Sequence, residues 1–421
     1  MLPLFRSMFI AFEAFPRPKG ASSHMASTVQ ALAKSYPPVL LLCLGYGDMP
    51  SYQQEGALTI IRYKLYHPNM LQRARGFNRY IFKIIDDIED HLKLCVFRDP
   101  WSGYPILSSR RNFSTIFEVN ALPSWELPYT YPNISKSHAL LEKMQDMEFF
   151  CLEHSDGIIT VSPITRSALV QLGISRECIV VIHNAAADIF FECSPTSGSL
   201  TTNVPQITGA QRETDQATDQ RRLPIHEMNT GRWFGYVGSL HPWQGVEVAV
   251  EAFALVSEDV PDYKMLILTG GRKEVLKRLK KYIRKVGMEE RILLHKPLSQ
   301  KNFASMLAHL EFTVAPLLET RRNIVQGCCP IKIIESLACG TPVIASDLEA
   351  TRALLRHGQE GFLVPPEDPR ALALAIKHMA SQPMVRAHMS RRAFLRAQAR
   401  FSVNRIHPEL ISYFNRITRS N

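Results

Sequence analysis

What most constrains this chain is one texture repeated in its two halves: short apolar runs alternating with amphipathic stretches of helical spacing. In the first half the apolar runs fall at Met8–Ala11, Val39–Cys43, Leu58–Arg62, Leu94–Phe97, Ser114–Val119, Gly157–Val161 and Ile179–Ile182. Between them helical spacing marks His24–Lys34, Phe77–Leu92, Ser137–Glu153 and Pro163–Leu172. A second series starts with Phe234–Val237 and Gln244–Val256 and runs on to Pro369–Ala380. A strand buried on both faces reads as an unbroken apolar run, whereas its crossover helix keeps a period of 3.6. The alternation therefore predicts parallel α/β units.

The two series are separated by Cys193–Thr230, which is rich in Thr, Gln, Ser and Pro and holds no Phe, Trp or Tyr. Such a segment buries too little apolar surface to repay the entropy of ordering, so a disordered linker or insertion is expected. The expected organisation is a Rossmann-like α/β domain at 1–192, the linker at 193–230, a second Rossmann-like domain at 231–385 and a helical tail at 386–421.

With 46% hydrophobic and 21% charged residues the chain has the mix of a folded globular protein. Its longest apolar runs fall short of the roughly 18–20 residues that span a bilayer. The opening MLPLFRSMFIAF, with an arginine in its middle, reads as a first buried strand rather than a signal peptide. The eight cysteines form no C-x-x-C pair and show no ligand spacing, which predicts free thiols in a reducing, cytoplasmic compartment.

The net charge of +10 invites an anionic partner, and much of it lies in Arg272–Arg291. Leu276, Leu279, Tyr282, Ile283 and Val286 keep helical spacing there, with lysines and arginines on the remaining face. The plain reading is a solvated face. The alternative is docking on an anionic membrane, which would put the protein at the membrane's inner face. Without a basic patch interleaved with aromatics, nucleic acid is not an expected partner.

The most informative segment is Pro330–Ser346, PIKIIESLACGTPVIAS. It reads as a helix entered through Pro330, carrying Glu335 about one turn in and closed by Gly340 before a buried strand. The free amides of Ile331 and Lys332 suit an anion, and a carboxylate nearby can accept two hydrogen bonds from a ribose diol. Together they describe a nucleoside diphosphate site. Near the N-terminus, Gly20, Ala21 and Ser22 open another helix, small residues whose amides suit a phosphate oxygen or a departing sugar, although serines there also serve as ordinary caps.

The stretch from Pro330 to Ile376, with FGYVGSLHPWQGVEVAVEA at Phe234–Ala252, Ser155–Phe191 and Pro18–Ala33, resembles glycosyltransferase family 4, retaining enzymes of the GT-B fold. The likeness covers nearly the whole chain except 193–230. It implies two doubly wound Rossmann-like domains facing a central cleft, with the tail crossing back to the first. It also implies transfer of a hexosyl group from a nucleoside diphosphate sugar to a hydroxyl acceptor, with retention at the anomeric carbon and no metal or other cofactor.

Glu335 would hold the ribose, and Gly20, Ala21, Ser22, Pro330, Ile331 and Lys332 the diphosphate. Gly238, Ser239 and Gln244 fall in the donor loop after the first strand of the second domain. Family members often carry an arginine and a lysine in this loop, where this chain has Ser239 and Gln244. Gly327 stands where the first of a pair of glutamates is usual. Lys332 and Arg321 are the expected replacements for the lost charge. In the first domain, Asp99, Glu118 and Asn120 end strands and are expected near the acceptor, with Glu126 a further candidate. The departures keep two alternatives open: a partner subunit that binds nucleotide sugar without transferring it, and a sugar-nucleotide epimerase.

Overall fold

A computed structural model describes residues 4–17, 20–64, 67–109, 112–131, 133, 136–194, 228 and 231–419. Apart from Cys193, Ser194 and Met228, the expected linker lies outside the described residues. The chain divides into two compact units. One comprises 1–185, 321–329 and 403–421, the other 186–320 and 330–402.

The first unit is built on an eight-stranded sheet of order β3-β4-β2-β1-β5-β6-β7-β8. Its strands are β1 (Ser7–Ala14), β2 (Val39–Leu44), β3 (Tyr52–Glu55), β4 (Leu58–Tyr63), β5 (Leu94–Phe97), β6 (Ser114–Val119), β7 (Gly157–Thr160) and β8 (Ile179–Val181). All pairings are parallel except β3 with β4. Its helices are α1 (Gly20–Ser35), α2 (Met70–Ile88), α3 (Pro100–Ser108), α4 (Pro123–Thr130), α5 (His138–His154) and α6 (Pro163–Gln171). Met8, Ile10, Leu40 and Leu42 pack with Phe77, Ile81 and Ile85 of α2 on one face. The alternate residues Phe9, Ala11, Leu41 and Cys43 pack with Met25, Val29 and Leu32 of α1 on the other. Caps set where the helices begin: Asn69, Asp99 and Ser162 each accept first-turn amides of α2, α3 and α6.

The second unit carries a six-stranded parallel sheet of order β11-β10-β9-β12-β13-β14. These strands are β9 (Arg232–Val237), β10 (Tyr263–Leu268), β11 (Ile292–His295), β12 (Thr313–Ala315), β13 (Val343–Ser346) and β14 (Gly361–Val364). The helices are α7 (Asp188–Glu192), α8 (Val246–Val256), α9 (Lys273–Lys285), α10 (Gln300–His309), α11 (Ile331–Ala338), α12 (Glu349–Arg352), α13 (Pro369–Ser381) and α14 (Pro383–Phe401). Phe234, Tyr236, Met265, Val314 and Ile344 of the sheet pack with Phe253 of α8 and Leu372 and Ile376 of α13. Leu279 and Ile283 anchor the basic helix α9 to the same core while its lysines face water. Among the described residues no helix is long and apolar enough to cross a membrane.

Of the expected tail at 386–421, residues up to 402 group with the second unit and only 403–421 with the first. There α15 (Val403–Arg419) lays Ile406, Leu410 and Phe414 on the α1 face of the sheet. Its Tyr413 hydroxyl accepts from the Ile158 amide at 2.8 Å. Residues 321–329 also belong to the first unit, including a short π-helical turn over Arg322–Gln326. That turn is tied down by Gln326 Oε1, which accepts from the Leu122 amide at 3.2 Å.

Candidate donor and acceptor sites

In each sheet the strand order reverses once, between β1 and β5 in the first and between β9 and β12 in the second. Beyond the carboxyl ends of such strand pairs the connections diverge to opposite faces, which opens a crevice for ligands. Gly20 and Asp99 follow β1 and β5, Glu118 and Asn120 lie at the end of the neighbouring β6, and the second set follows β9 and β12.

In the second unit, β9 delivers Gly238 and Ser239, and α11 opens after β12. Pro330 is the N-cap of α11 rather than its first helical residue, and no side chain caps it. The amides of Ile331 and Lys332 therefore belong to a first turn that has no intrahelical acceptors. The Lys332 ammonium lies 4.5 Å from the centroid of the Tyr236 ring. The Tyr236 hydroxyl in turn donates to Ser239 O at 2.7 Å, fixing the loop after β9. Gly238 has φ +142°, and a Cβ there would come within 3.1 Å of Lys332 Nζ. A bare backbone is thus what lets the lysine approach the strand end.

Glu335 is 5% exposed, and burial alone pushes its carboxyl up to about 8. Gln244 Oε1 is also buried, without a hydrogen-bond partner among the described residues. Gly238, Ser239, Gln244, Pro330, Ile331, Lys332 and Glu335 all belong to this unit. They combine uncapped amides, an ammonium, an acid without an ion-pair partner and an amide oxygen still to be satisfied.

In the first unit the start of α1 and the ends of β5 and β6 share a buried polar cluster. Glu118 of β6 is fully buried and accepts from Thr28 Oγ1 at 2.7 Å and from Asn120 Nδ2 at 3.1 Å. His24 Nε2 lies 2.9 Å from Oε1, the oxygen that Asn120 bonds, and Arg98 Nε 3.9 Å from the same atom. Burial by itself would raise the Glu118 carboxyl, but His24, Arg98 and Thr28 outweigh it and hold it down to about 2. A carboxylate so satisfied does not take a proton at neutral pH, which suits a positioning role rather than that of a base. Arg98 Nη1 donates to Ala21 O at 2.9 Å and so ties the first turn of α1 to this cluster.

Asp99 is also occupied. It caps α3 by accepting from the Ser102 amide and hydroxyl, both at 2.9 Å, and its other oxygen accepts from the Phe12 amide at 2.7 Å. Burial pushes its carboxyl up to about 6 against those bonds and the Arg98 charge. These contacts fasten β1 to α3 and leave Asp99 a structural residue. Ser22 lies inside α1 rather than before it, and its hydroxyl accepts from the Arg17 amide at 2.9 Å, so it is not the helix cap.

Arg321 is not among the residues the second unit gathers. It belongs to the first unit, with its guanidinium 5.9 Å from the Trp125 ring centroid, and neighbouring Arg322 pairs with Glu126 at 2.8 Å. Gly327 has φ +80°, and a Cβ there would meet the Thr165 amide at 2.9 Å and Ser162 Oγ at 2.8 Å, where Ser162 caps α6. No glutamate fits this position without moving α6. His24, Thr28 and Arg98, which the structure gathers around Glu118, are not among the site residues expected from the sequence. The signal was the spacing Gly20, His24, Thr28, which places all three on one face of α1. Among the described residues no group of three His, Cys, Asp or Glu side chains is placed to hold a metal.

Two family descriptions match the chain, Glycosyltransferase Family 4 over residues 18–187 and Glycosyl transferases group 1 over 231–382. It is 32% identical over 145 residues to the phosphatidyl-myo-inositol mannosyltransferase of Mycobacterium leprae, a stretch covering 34% of this chain and 36% of that protein. It is 25% identical over 206 residues to the D-inositol 3-phosphate glycosyltransferase of Corynebacterium urealyticum, covering 48% and 47%. The match thus spans less than half the length of each of these curated relatives.

In fold it is similar to sucrose-phosphate synthase from Thermosynechococcus elongatus, with TM-score 0.77 at 16% identity over 99% of this chain and 100% of that one. It is likewise similar to Anabaena HepE, with TM-score 0.71 at 15% identity over 98% and 100%. With a glycosyltransferase description matching each Rossmann-like half, and GT-B enzymes as its structural neighbours, the chain belongs to glycosyltransferase family 4.

Proposed function

We propose that this protein transfers a hexosyl group from a nucleoside diphosphate sugar to a hydroxyl acceptor, with retention at the anomeric carbon. The observation that carries the reading is Glu335, a buried acid whose raised pKa nothing opposes, on the same helix as Lys332 and an uncapped first turn. A ribose diol supplies the donors this carboxyl lacks, and the amides of Ile331 and Lys332 with the Lys332 ammonium take the diphosphate. As the bond to the anomeric carbon breaks, charge develops on the leaving phosphate where those groups already stand, and such preorganised donors lower the barrier. In this reading that stabilisation comes from the chain itself without a resident metal ion. On the acceptor side, the first turn of α1, tied through Arg98 to the Glu118–His24 cluster, faces the substrate.

Calorimetric titration of UDP, GDP and ADP into the full chain tests the donor site, uridine first because Anabaena HepE was solved with UDP-glucose. One nucleotide is expected to bind, and Glu335→Ala to weaken it by roughly tenfold to 100-fold, the range for one hydrogen bond to a charged group. Equal binding by the variant sinks the assignment. A second reading rests on Ser239 and Gln244, uncharged in the donor loop, and on Gly327, where α6 leaves no room for an acid. Under it the chain holds nucleotide sugar without transfer, and tight binding with no turnover of that nucleotide's sugars identifies it.

A further inference from the structure

Strand β14 is entered from the loop carrying Arg356 and Gln359, so these residues lie at the amino end of the second sheet. The donor-site residues follow the carboxyl ends of the same parallel strands, on the opposite edge. Along α14, Arg392, Arg396 and Arg400 recur every fourth residue and share one helix face. With Arg356, Gln359 and Leu395 they line an open groove of about 440 Å³.

No acid is among the lining residues, and the acid that Arg356 pairs with is Glu360. It is fully buried and bonded to Arg356 through its guanidinium and, at 2.8 Å, its amide. Glu360 is thus engaged by Arg356 and acts on Arg396 only as a nearby charge. Arg396 itself is pinned: its Nε donates to Leu354 O at 2.5 Å and Nη2 to Ala353 O at 3.4 Å. Burial draws its pKa down, Glu360 opposes, and the like charges of Arg400 and Arg356 lower it further. Holding like charges together at a half-buried guanidinium costs stability, and an anion in the groove reverses the sign of that cost.

We propose that this groove is a phosphate-binding site separate from the donor site, with Arg392, Arg396 and Arg400 as its ligands. A phosphate brings up to two negative charges and three acceptor oxygens, and guanidinium forks meet such oxygens with paired N–H bonds. The groove is shallow and open, so it recognises the phosphate group itself, carried either by a small soluble molecule or by a lipid headgroup. The inference does not depend on the transferase reading.

The test uses the full chain with Lys332→Ala as background, to remove the donor-site lysine. Inorganic pyrophosphate is titrated at low salt in one arm, and in the other the protein is sedimented with phosphatidylglycerol or phosphatidylcholine vesicles. Binding is expected in at least one arm, tenfold weaker or more when Arg392→Ala and Arg400→Ala are added and partly restored by lysine at both positions. Pyrophosphate binding identifies a soluble ligand; binding only to phosphatidylglycerol identifies a headgroup. Both arginines are exposed, so urea midpoints should match the parent. Failure of both arms, or binding that the arginine variants leave unchanged, overturns the proposal.

Discussion

Glu118 in β6 of the first unit and Glu335 in α11 of the second are both buried glutamates. The first is held down to about 2 and the second is pushed up to about 8. The difference is partners, not burial. Glu118 has Thr28, Asn120, His24 and Arg98 around it, while desolvation stands alone at Glu335. Around Glu118 the chain supplies the carboxylate's partners itself. The second unit has left an acid, an amide oxygen and a helix start open to a ligand. Satisfied polar clusters position, and incomplete ones bind.

The strongest way to break this comparison is Glu118→Ala. It leaves buried His24 and Thr28 and the partly buried Arg98 without their carboxylate, and a loss of about 3–5 kcal/mol in urea unfolding is expected. Glu335→Gln should leave stability at neutral pH unchanged or improved. Equal losses at both positions would mean that the two sites do not differ in kind.

Next in size is Gly327→Ala. Forcing a side chain into left-handed backbone against the α6 start is expected to cost about 1–3 kcal/mol. The same denaturation experiment reads it, and a neutral result would show that α6 yields readily.

A further contrast lies in pH dependence, where the two glutamates have opposite signs. Glu118 has a lowered folded pKa, so its contribution is complete above 4.5 and is lost as pH falls from 4.5 through about 2. Glu335 has a raised folded pKa, so between 4.5 and about 8 the folded state keeps a proton that the unfolded chain has released, and stability falls as pH rises. Glu335→Gln should flatten the slope between 4.5 and 8 and leave the acid limb unchanged. A ribose diol favours the ionised carboxylate, so nucleotide affinity in the parent should climb through the same window, but not in the variant.

Much of the fold was legible because its strands are buried on both faces. VLLLCL of β2 and RWFGYV of β9 read as strands without ambiguity. The misses share a cause. Edge strand β3, YQQE, is mostly exposed and carries no apolar period, while β14 is four residues long. Helix α3, PWSGYPILS, contains Gly103 and Pro105 and is held by the Asp99 cap and by packing rather than by propensity. At the sites, Lys332 and Glu335 were legible because helix start and acid lie within one turn. Glu118 was legible as a residue but not in its state, because its partners come from positions 24, 28 and 98.

What the sequence determined by itself was local: the period of burial and the helix that sets Lys332 and Glu335 one turn apart. What only the tertiary structure decided was every property that depends on residues distant in the chain. It placed Arg321–Cys329 in the first unit and made Gly327 obligatory beneath α6. It also gathered the arginines of α14 beside Arg356, and set one buried glutamate ionised and the other protonated. Propensity and periodicity act within a few residues, whereas desolvation and Coulomb energy depend on neighbours in space, which the chain acquires only when it has folded.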